Sequence, residues 1–424
     1  MTLLFLVSLF GLILLNVPIA IALIGTAAIM MCVSTGFSTQ ILAQGVIRGV
    51  DNYPLLAVPF FMVAGEIMNK GGISVRIVRF ADALVGHIRG GLGYVTVISG
   101  MIFAGVSGSA IADTAALGSV VIPVMREKGY DPERSAGLIC GAGCIGPIIP
   151  PSIPMIIFGV TAQVSIVKLF LGGVIPGILV GIGLMVVWYF HSKRFGYAAA
   201  ARAPFSVMLS ATRDAFWSFM LPIIILGGII FGVMTPTEAA VVAVVYAFVI
   251  SLVVYKEMRL RDIPGIITTA MKSTASVMFV VGGATAAAYL ITTAHIAEML
   301  SDTLTAYASN ASVLLLLINI LLLIVGCVMD TAPAILILTP VLMPVITRFG
   351  IDPVHFGVVM VMNLCIGLLT PPVGAVLYVG SGLTNLSIYQ LTRGMLPFIA
   401  VMTVVLFLIT YVPDLVLITT RLVR

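Results

Sequence analysis

One stretch of this sequence is written twice, about half a chain apart, and that duplication constrains the architecture more than any other feature. Asp113-Thr114-Ala115 returns as Asp330-Thr331-Ala332, and Gly129-Tyr130-Asp131-Pro132 returns as Gly350-Ile351-Asp352-Pro353. Cys144-Ile145-Gly146 returns as Cys365-Ile366-Gly367, and Pro150-Pro151 returns as Pro371-Pro372. From Asp131 onward the matches keep one offset, 352 − 131 = 221, whereas the Asp-Thr-Ala pair gives 330 − 113 = 217. The difference reads as four extra residues in the second copy, about one helical turn. The polar connector from His191 to Asp214 then divides the chain into a first repeat over 1–200 and a second over 201–424.

What the repeats are made of follows from hydropathy. Of 424 residues, 61% are hydrophobic and 9% charged, and apolar runs of about 20 residues follow one another almost end to end. A soluble domain cannot bury that much apolar surface, and the two-residue alternation of a membrane barrel is missing. An all-α, multi-pass membrane protein is the class that remains. The basic balance, with a pI of about 9.0, does not indicate nucleic acid, because the cations sit in short loops between apolar runs and read as orientation signals. The segment from Met1 to Val33 has no basic leader and no small-residue cleavage site, so it reads as a retained span. The five cysteines form no CxxC pair and read as small core residues. No HExxH, P-loop or DDxxD pattern occurs, so no enzyme is indicated, and transport without a nucleotide would run on an ion gradient.

Charge in the loops relates the halves. Lys70, Arg76, Arg79 and Arg89 lie in the loop 70–91, while its counterpart, 287–312, carries only His295, Glu298 and Asp302. Equivalent loops of opposite character belong on opposite faces, the signature of an inverted-topology repeat, with 70–91, 191–214 and 256–262 cytoplasmic. Two segments read as re-entrant helical hairpins. One lies near 45–69, with its tip at Pro54 to Pro59, and the other near 263–293, with its tip at Gly282-Gly283. Two further segments, near 92–125 and 311–347, read as broken helices carrying the acids. A pair of kinked spans is the alternative to the hairpins.

Asp113 is the only charge between Gly90 and Met125, and Asp330 the only one between Thr303 and Thr347. A lone carboxylate at mid-membrane costs at least ~2.5–3.5 kcal/mol, and a bound cation would offset that cost. The glycines and serines from Gly105 to Ala110, and Gly326-Cys327 in the second copy, permit unwound backbone whose oxygens suit a hard cation. Two other readings stay open: each Asp as a helix N-cap, and each as a proton relay. The paired prolines must break helices, exposing carbonyls and the hydroxyls of Ser152 and Thr370. Glu238, after Thr235-Pro236-Thr237, reads as a structural first-turn acid, and Trp188 and Trp217 read as interface aromatics.

These residues resemble the large membrane subunit of tripartite ATP-independent periplasmic (TRAP) transporters. The likeness covers essentially the whole chain and is carried by Gly49-Val50-Asp51, Pro54 to Phe61, Phe103 to Asp113, Pro150-Pro151-Ser152, Asp330-Thr331-Ala332 and Thr370-Pro371-Pro372. It implies an elevator-type carrier in the bacterial inner membrane, driven by sodium. Ser107, Ser109 and Asp113 would serve one sodium site and Asp330 with Thr331 the other. The substrate-binding candidates lie at the tips and breaks: Pro59, Gly108, Pro151, Ser152, Gly282, Gly283, Thr370 and Pro371. The resemblance also implies a small membrane subunit, here expected as a separate polypeptide, and a periplasmic substrate-binding protein delivering an organic acid, sialic acid or a C4-dicarboxylate. A stand-alone ion-coupled anion carrier or antiporter is the alternative.

Overall fold

The computed structural model describes residues 1–34, 38–199, 201–294, 299 and 310–421. Among them the regular structure is helical throughout. The first repeat comprises α1 (Thr2–Leu14), α2 (Ile19–Ser34), α3 (Thr39–Val50), α4 (Ala57–Lys70), α5 (Ile73–Val85), α6 (Gly91–Ser107), α7 (Ala110–Glu127), α8 (Pro132–Gly143), α9 (Ile153–Ala162) and α10 (Ile166–Phe195). The second comprises α11 (Phe205–Ile230), α12 (Pro236–Val249), α13 (Ile263–Thr293), α14 (Ala311–Gly326), α15 (Thr331–Arg348), α16 (Pro353–Gly367), α17 (Ala375–Thr384), α18 (Ile388–Tyr411) and α19 (Asp414–Thr420). Among the described residues six helices are long and apolar enough to cross a membrane, or seven spans if α3 and α4 make one bent span. His295, Glu298 and Asp302, on which the loop-charge comparison leans, lie outside the described residues.

The hairpins and broken helices are present, but not where the sequence placed them. Helices α6 and α7 double back on each other. The carbonyl of Gly90, at the start of α6, accepts a hydrogen bond from Trp188 Nε1 at 2.8 Å, and Tyr130, just past α7, stacks on the same indole at 6.1 Å. With both far ends at one place, 92–125 is a re-entrant hairpin whose tip is Ser107-Gly108-Ser109. The same holds for α14 and α15. Tyr411 Oη donates to the Ser312 carbonyl at 3.4 Å, and His355, shortly after α15, bonds the Ile409 carbonyl at 2.8 Å. The span 311–347 is therefore the second hairpin, with its tip at Cys327 to Asp330.

The broken helices are the proline-bearing segments. Helices α8 and α9 are separated by residues 144–152, and α16 and α17 by residues 368–374. Each break holds a cis peptide at the repeated position, Pro150-Pro151 and Pro371-Pro372.

The predicted hairpin near 263–293 is instead one uninterrupted helix, α13. Gly282 and Gly283 do not bend it; they let neighbours approach. A Cβ on Gly283 would stand 2.8 Å from the Ala20 carbonyl oxygen, and one on Gly282 would stand 3.0 Å from that of Val46. The segment near 45–69 is a span bent by 59°, not a re-entrant loop. It runs antiparallel beside α13 along its whole length, with Gly45 against Ala286, Gly49 against Gly282 and Met62 against Thr274. The 3₁₀ turn Tyr53–Leu56, with Pro54 at its start, accommodates the bend without reversing the chain.

Helix α18 gives the relation between the halves. Near its start, the carbonyl of Gly394 accepts a hydrogen bond from Arg134 at 2.8 Å, beside the root of the first hairpin. Its last turn holds the root of the second. Twenty-four residues of helix span about 36 Å. The hairpins therefore enter from opposite faces, and the repeats are inverted.

Candidate functional site

The repeats align on their helices at a register the Asp-Thr-Ala motif conceals. Helices α7 and α15 are offset by 331 − 110 = 221 at their starts and 348 − 127 = 221 at their ends. In that register Asp330 corresponds to Ser109, and Asp113 to Ala334. No extra turn exists in the second copy; the acid has moved by one turn. Ser109 is the N-cap of α7, accepting from the Ala112 amide at 3.4 Å. Asp330 is the N-cap of α15, its carboxylate accepting from the Thr331 amide at 2.7 Å. The capping reading therefore holds for Asp330 and fails for Asp113, which lies inside the first turn of α7.

Asp113 is 2% exposed. Ser107 Oγ donates to its Oδ1, while its Oδ2 is buried with no hydrogen-bond partner. Neither Asp113 nor Asp330 pairs with a Lys, Arg or His among the described residues. Gly146, in the first break, leaves the room for the free oxygen: a Cβ there would stand 2.1 Å from Asp113 Oδ2 and 3.2 Å from the Gly143 carbonyl oxygen. An orphaned carboxylate oxygen beside a serine hydroxyl and a backbone carbonyl is a donor set of hard oxygens, and it fits a hard cation. No cluster of three His, Cys, Asp or Glu side chains occurs among the described residues, so a softer metal has no such site there.

The two tips share one cavity, of about 70 Å³, lined by Gly108 and Ser109 from the first and by Asp330 and Thr331 from the second. Asp330 lines this space and is exposed. Ile153 and Pro154, the first residues of α9, complete one wall, and Met62 of α4 and Val277 of α13 form another. Three helix N-termini, those of α7, α9 and α15, thus bring their free amides and positive dipole ends to one place, an arrangement that favours an anion.

The substrate-binding candidates divide three ways. Gly108, at φ +61°, lets the tip press on the first break, where its Cβ would stand 2.5 Å from the Pro151 carbonyl oxygen. Ser152 is the N-cap of α9, buried, with its hydroxyl donated to the Pro147 carbonyl. Thr370 donates to the Ile366 carbonyl at 2.9 Å, and Pro371 is exposed in the second break. That break is tied to its tip by the Cys327 carbonyl, which accepts from the amides of Val373 at 3.0 Å and Gly374 at 3.3 Å. Pro59 lies in the first turn of α4, short of the cavity wall. Gly282 and Gly283 are away from the cavity. Glu66, to which the sequence assigned no role, lines a neighbouring cavity of about 70 Å³ with Ser107, Ser109 and Ser273. Glu238 closes a capping box with Thr235, as expected, whereas Trp188 is buried at a hairpin root and not at an interface.

Two inverted repeats whose opposed hairpins meet at one cavity inside a multi-pass helical bundle define a membrane transporter. The fold itself recurs in a transporter from Alcanivorax borkumensis, YdaH, described as having an unusual topology, with a TM-score of 0.68 over 97% of both chains at 14% identity. The family model for the DctM component of the tripartite ATP-independent periplasmic transporter matches residues 6–415, and the chain belongs to that family. It is 45% identical over 415 residues, 98% of each chain, to the 2,3-diketo-L-gulonate TRAP transporter large permease protein YiaN of Escherichia coli. It is also 41% identical, over 95% of each chain, to the sialic acid TRAP transporter large permease protein SiaM of Vibrio cholerae. The chain is thus a large permease subunit and not an enzyme.

Proposed function

We propose that this subunit imports an organic acid across the bacterial inner membrane, coupled to sodium, by an elevator movement of the hairpin-bearing body. In this reading a periplasmic binding protein delivers the acid, and a separate small membrane subunit braces the scaffold. The observation that carries the proposal is the convergence of both hairpin tips on one cavity, with the Asp113 carboxylate buried behind it and half unpartnered. The two related proteins named above move acids that carry a carboxylate, and the three helix N-termini suit such a group.

Sodium bound beside Asp113 would neutralise the buried carboxylate. Ser107 then orients that carboxylate, Gly146 leaves the ion its space, and Gly108 and Ser109 hold the tip against the first break. At the second tip Asp330 and Thr331 act at the cavity edge. A cavity of about 70 Å³ is too small for a six-carbon acid, so admission requires the tips to move against Met62 and Val277 on the scaffold side. A ligand bound equally well before and after such a movement would drive nothing, so loading must favour the mobile arrangement.

Reconstitution into proteoliposomes with the small subunit and candidate binding proteins tests this reading. Uptake is expected only with an imposed inward sodium gradient and one particular binding protein. Equal uptake after replacement of sodium by potassium at the same membrane voltage would overturn the coupling.

A further inference from the structure

A second cavity, larger than the one between the tips, lies elsewhere in the bundle. It is a cleft of about 760 Å³ beside the root of the first hairpin, lined by Arg76, Arg79, Lys128 and Arg213 against two carboxylates, Asp82 and Asp214. Arg76 is already engaged, 3.1 Å from Glu257 and stacked over the Tyr255 ring at 3.8 Å. Arg79, Lys128 and Arg213 are exposed and make no ion pair with a described residue. His87, also in the wall, has a buried Nδ1 without a hydrogen-bond partner. Exposed apolar side chains, Val207 and Trp217 of α11 and Val254, line the same cleft. The cleft therefore combines cations with apolar side chains, and it lies on the face where the sequence gathers its loop cations.

We infer that this cleft binds a phosphate-bearing anion, with the headgroup of an anionic phospholipid as the occupant that its apolar lining residues select. Arg79, Lys128 and Arg213 against the two carboxylates leave the space with an excess of positive charge that an anion neutralises, and membrane-face basic pockets between helices hold lipid phosphates on this principle. The guanidinium groups of Arg79 and Arg213 have the fork geometry that suits phosphate oxygens, and Lys128 adds a point charge. Val207, Trp217 and Val254 would take the glycerol and upper acyl carbons. Lys128 and His87 belong to the root of the hairpin body, and Arg213 and Trp217 to α11. A bound headgroup would therefore tie the two together at the cytoplasmic face.

The test uses the purified, delipidated full-length chain in detergent, with native mass spectrometry and thermal melting as readouts, so it does not depend on transport. The probes are phosphatidylglycerol, phosphatidylcholine and inorganic phosphate. The double variant Arg79→Gln/Arg213→Gln removes cations of the cleft, and Lys168→Gln, at the start of α10 and outside the cleft, is the charge control. Retention of phosphatidylglycerol but not phosphatidylcholine, weakened at least about tenfold in the double variant and unchanged in the control, supports the lipid source. Saturable stabilisation by inorganic phosphate with the same dependence on the arginines supports the site with a soluble phosphate as its occupant. Binding of neither probe, or binding that the double variant leaves intact, overturns the inference.

Discussion

The two hairpins are copies that have come to hold their acids differently. In the first, the N-cap is Ser109 and the acid lies one turn deeper, enclosed by a break that is buried from Cys144 to Ser152 except at Ile149. In the second, the acid is itself the N-cap, and the facing break is exposed from Pro371 to Val373. The packing behind the tips differs as well. Gly100 faces Ala142 in the first repeat, close enough that a Cβ on Gly100 would stand 3.0 Å from the Ala142 carbonyl oxygen. The residue aligned with Ala142 is Asn363, whose Nδ2 donates to Asn319 Oδ1 at 2.7 Å, and Asn319 in turn donates to Thr410 at 3.2 Å. One tip is sealed and backed by small-residue contact; the other is open and backed by hydrogen bonds. Duplication preserved the scaffold of each tip while letting the position of the charge drift by a helical turn.

The largest effect should come from the enclosed acid. Asp113→Asn is expected to lower apparent sodium affinity in proteoliposome uptake by at least about 100-fold, since removing one partner of a buried charge pair costs ~3–5 kcal/mol. A titration in which Asp113→Asn and wild type half-saturate at the same sodium concentration would erase the distinction between the tips.

Two aligned glycines sharpen it further. A Cβ on Gly367 would meet the backbone carbon of Gly326 at 2.5 Å, whereas one on Gly146 meets the end of the Asp113 side chain at 2.1 Å and backbone only at 3.2 Å. Gly367→Ala should therefore destabilise the fold by about 1–3 kcal/mol, read as a lower melting temperature. Gly146→Ala should instead weaken sodium binding about tenfold, a change of ~1.4 kcal/mol, with melting nearly unchanged. If the two variants behave alike in both assays, the contrast between carboxylate and backbone is wrong.

Asn363→Ala should cost about 1–3 kcal/mol in denaturant or thermal unfolding, because Asn319 loses its partner in a buried setting. Smallest is the cap. Asp330→Ala should lose about 1 kcal/mol of stability and Asp330→Asn only a few tenths, because asparagine caps as well as aspartate does. A stability loss in Asp330→Asn equal to that in Asp330→Ala would assign the carboxylate a structural charge role instead.

Much of this was legible in the residues. The duplication, the two solitary acids, the serine-glycine tip and the proline pairs were all visible; in the structure Ser109, Asp330 and Thr331 line the shared cavity, and Ser107 bonds Asp113 behind the first tip. What the sequence could not settle was direction. A glycine-serine interruption between two apolar helices looks the same whether the chain continues or turns back. Here the reversal is decided by distant partners, Trp188 for one hairpin and Tyr411 for the other. Gly282-Gly283 misled for a related reason, since a glycine pair inside a long helix serves close packing as readily as a break. The one-turn displacement of the acid was hidden because Asp-Thr-Ala recurs as a word at different helical depths. The pairing of Ser109 with Asp330 emerges only from the ends of α7 and α15.

Helix α18 acts as a fixed strut. It touches the mouth of one hairpin where it begins and the mouth of the other where it ends, and a helix neither stretches nor shortens appreciably under such loads. The surroundings of both mouths are therefore braced by one rigid element, one near each of its ends.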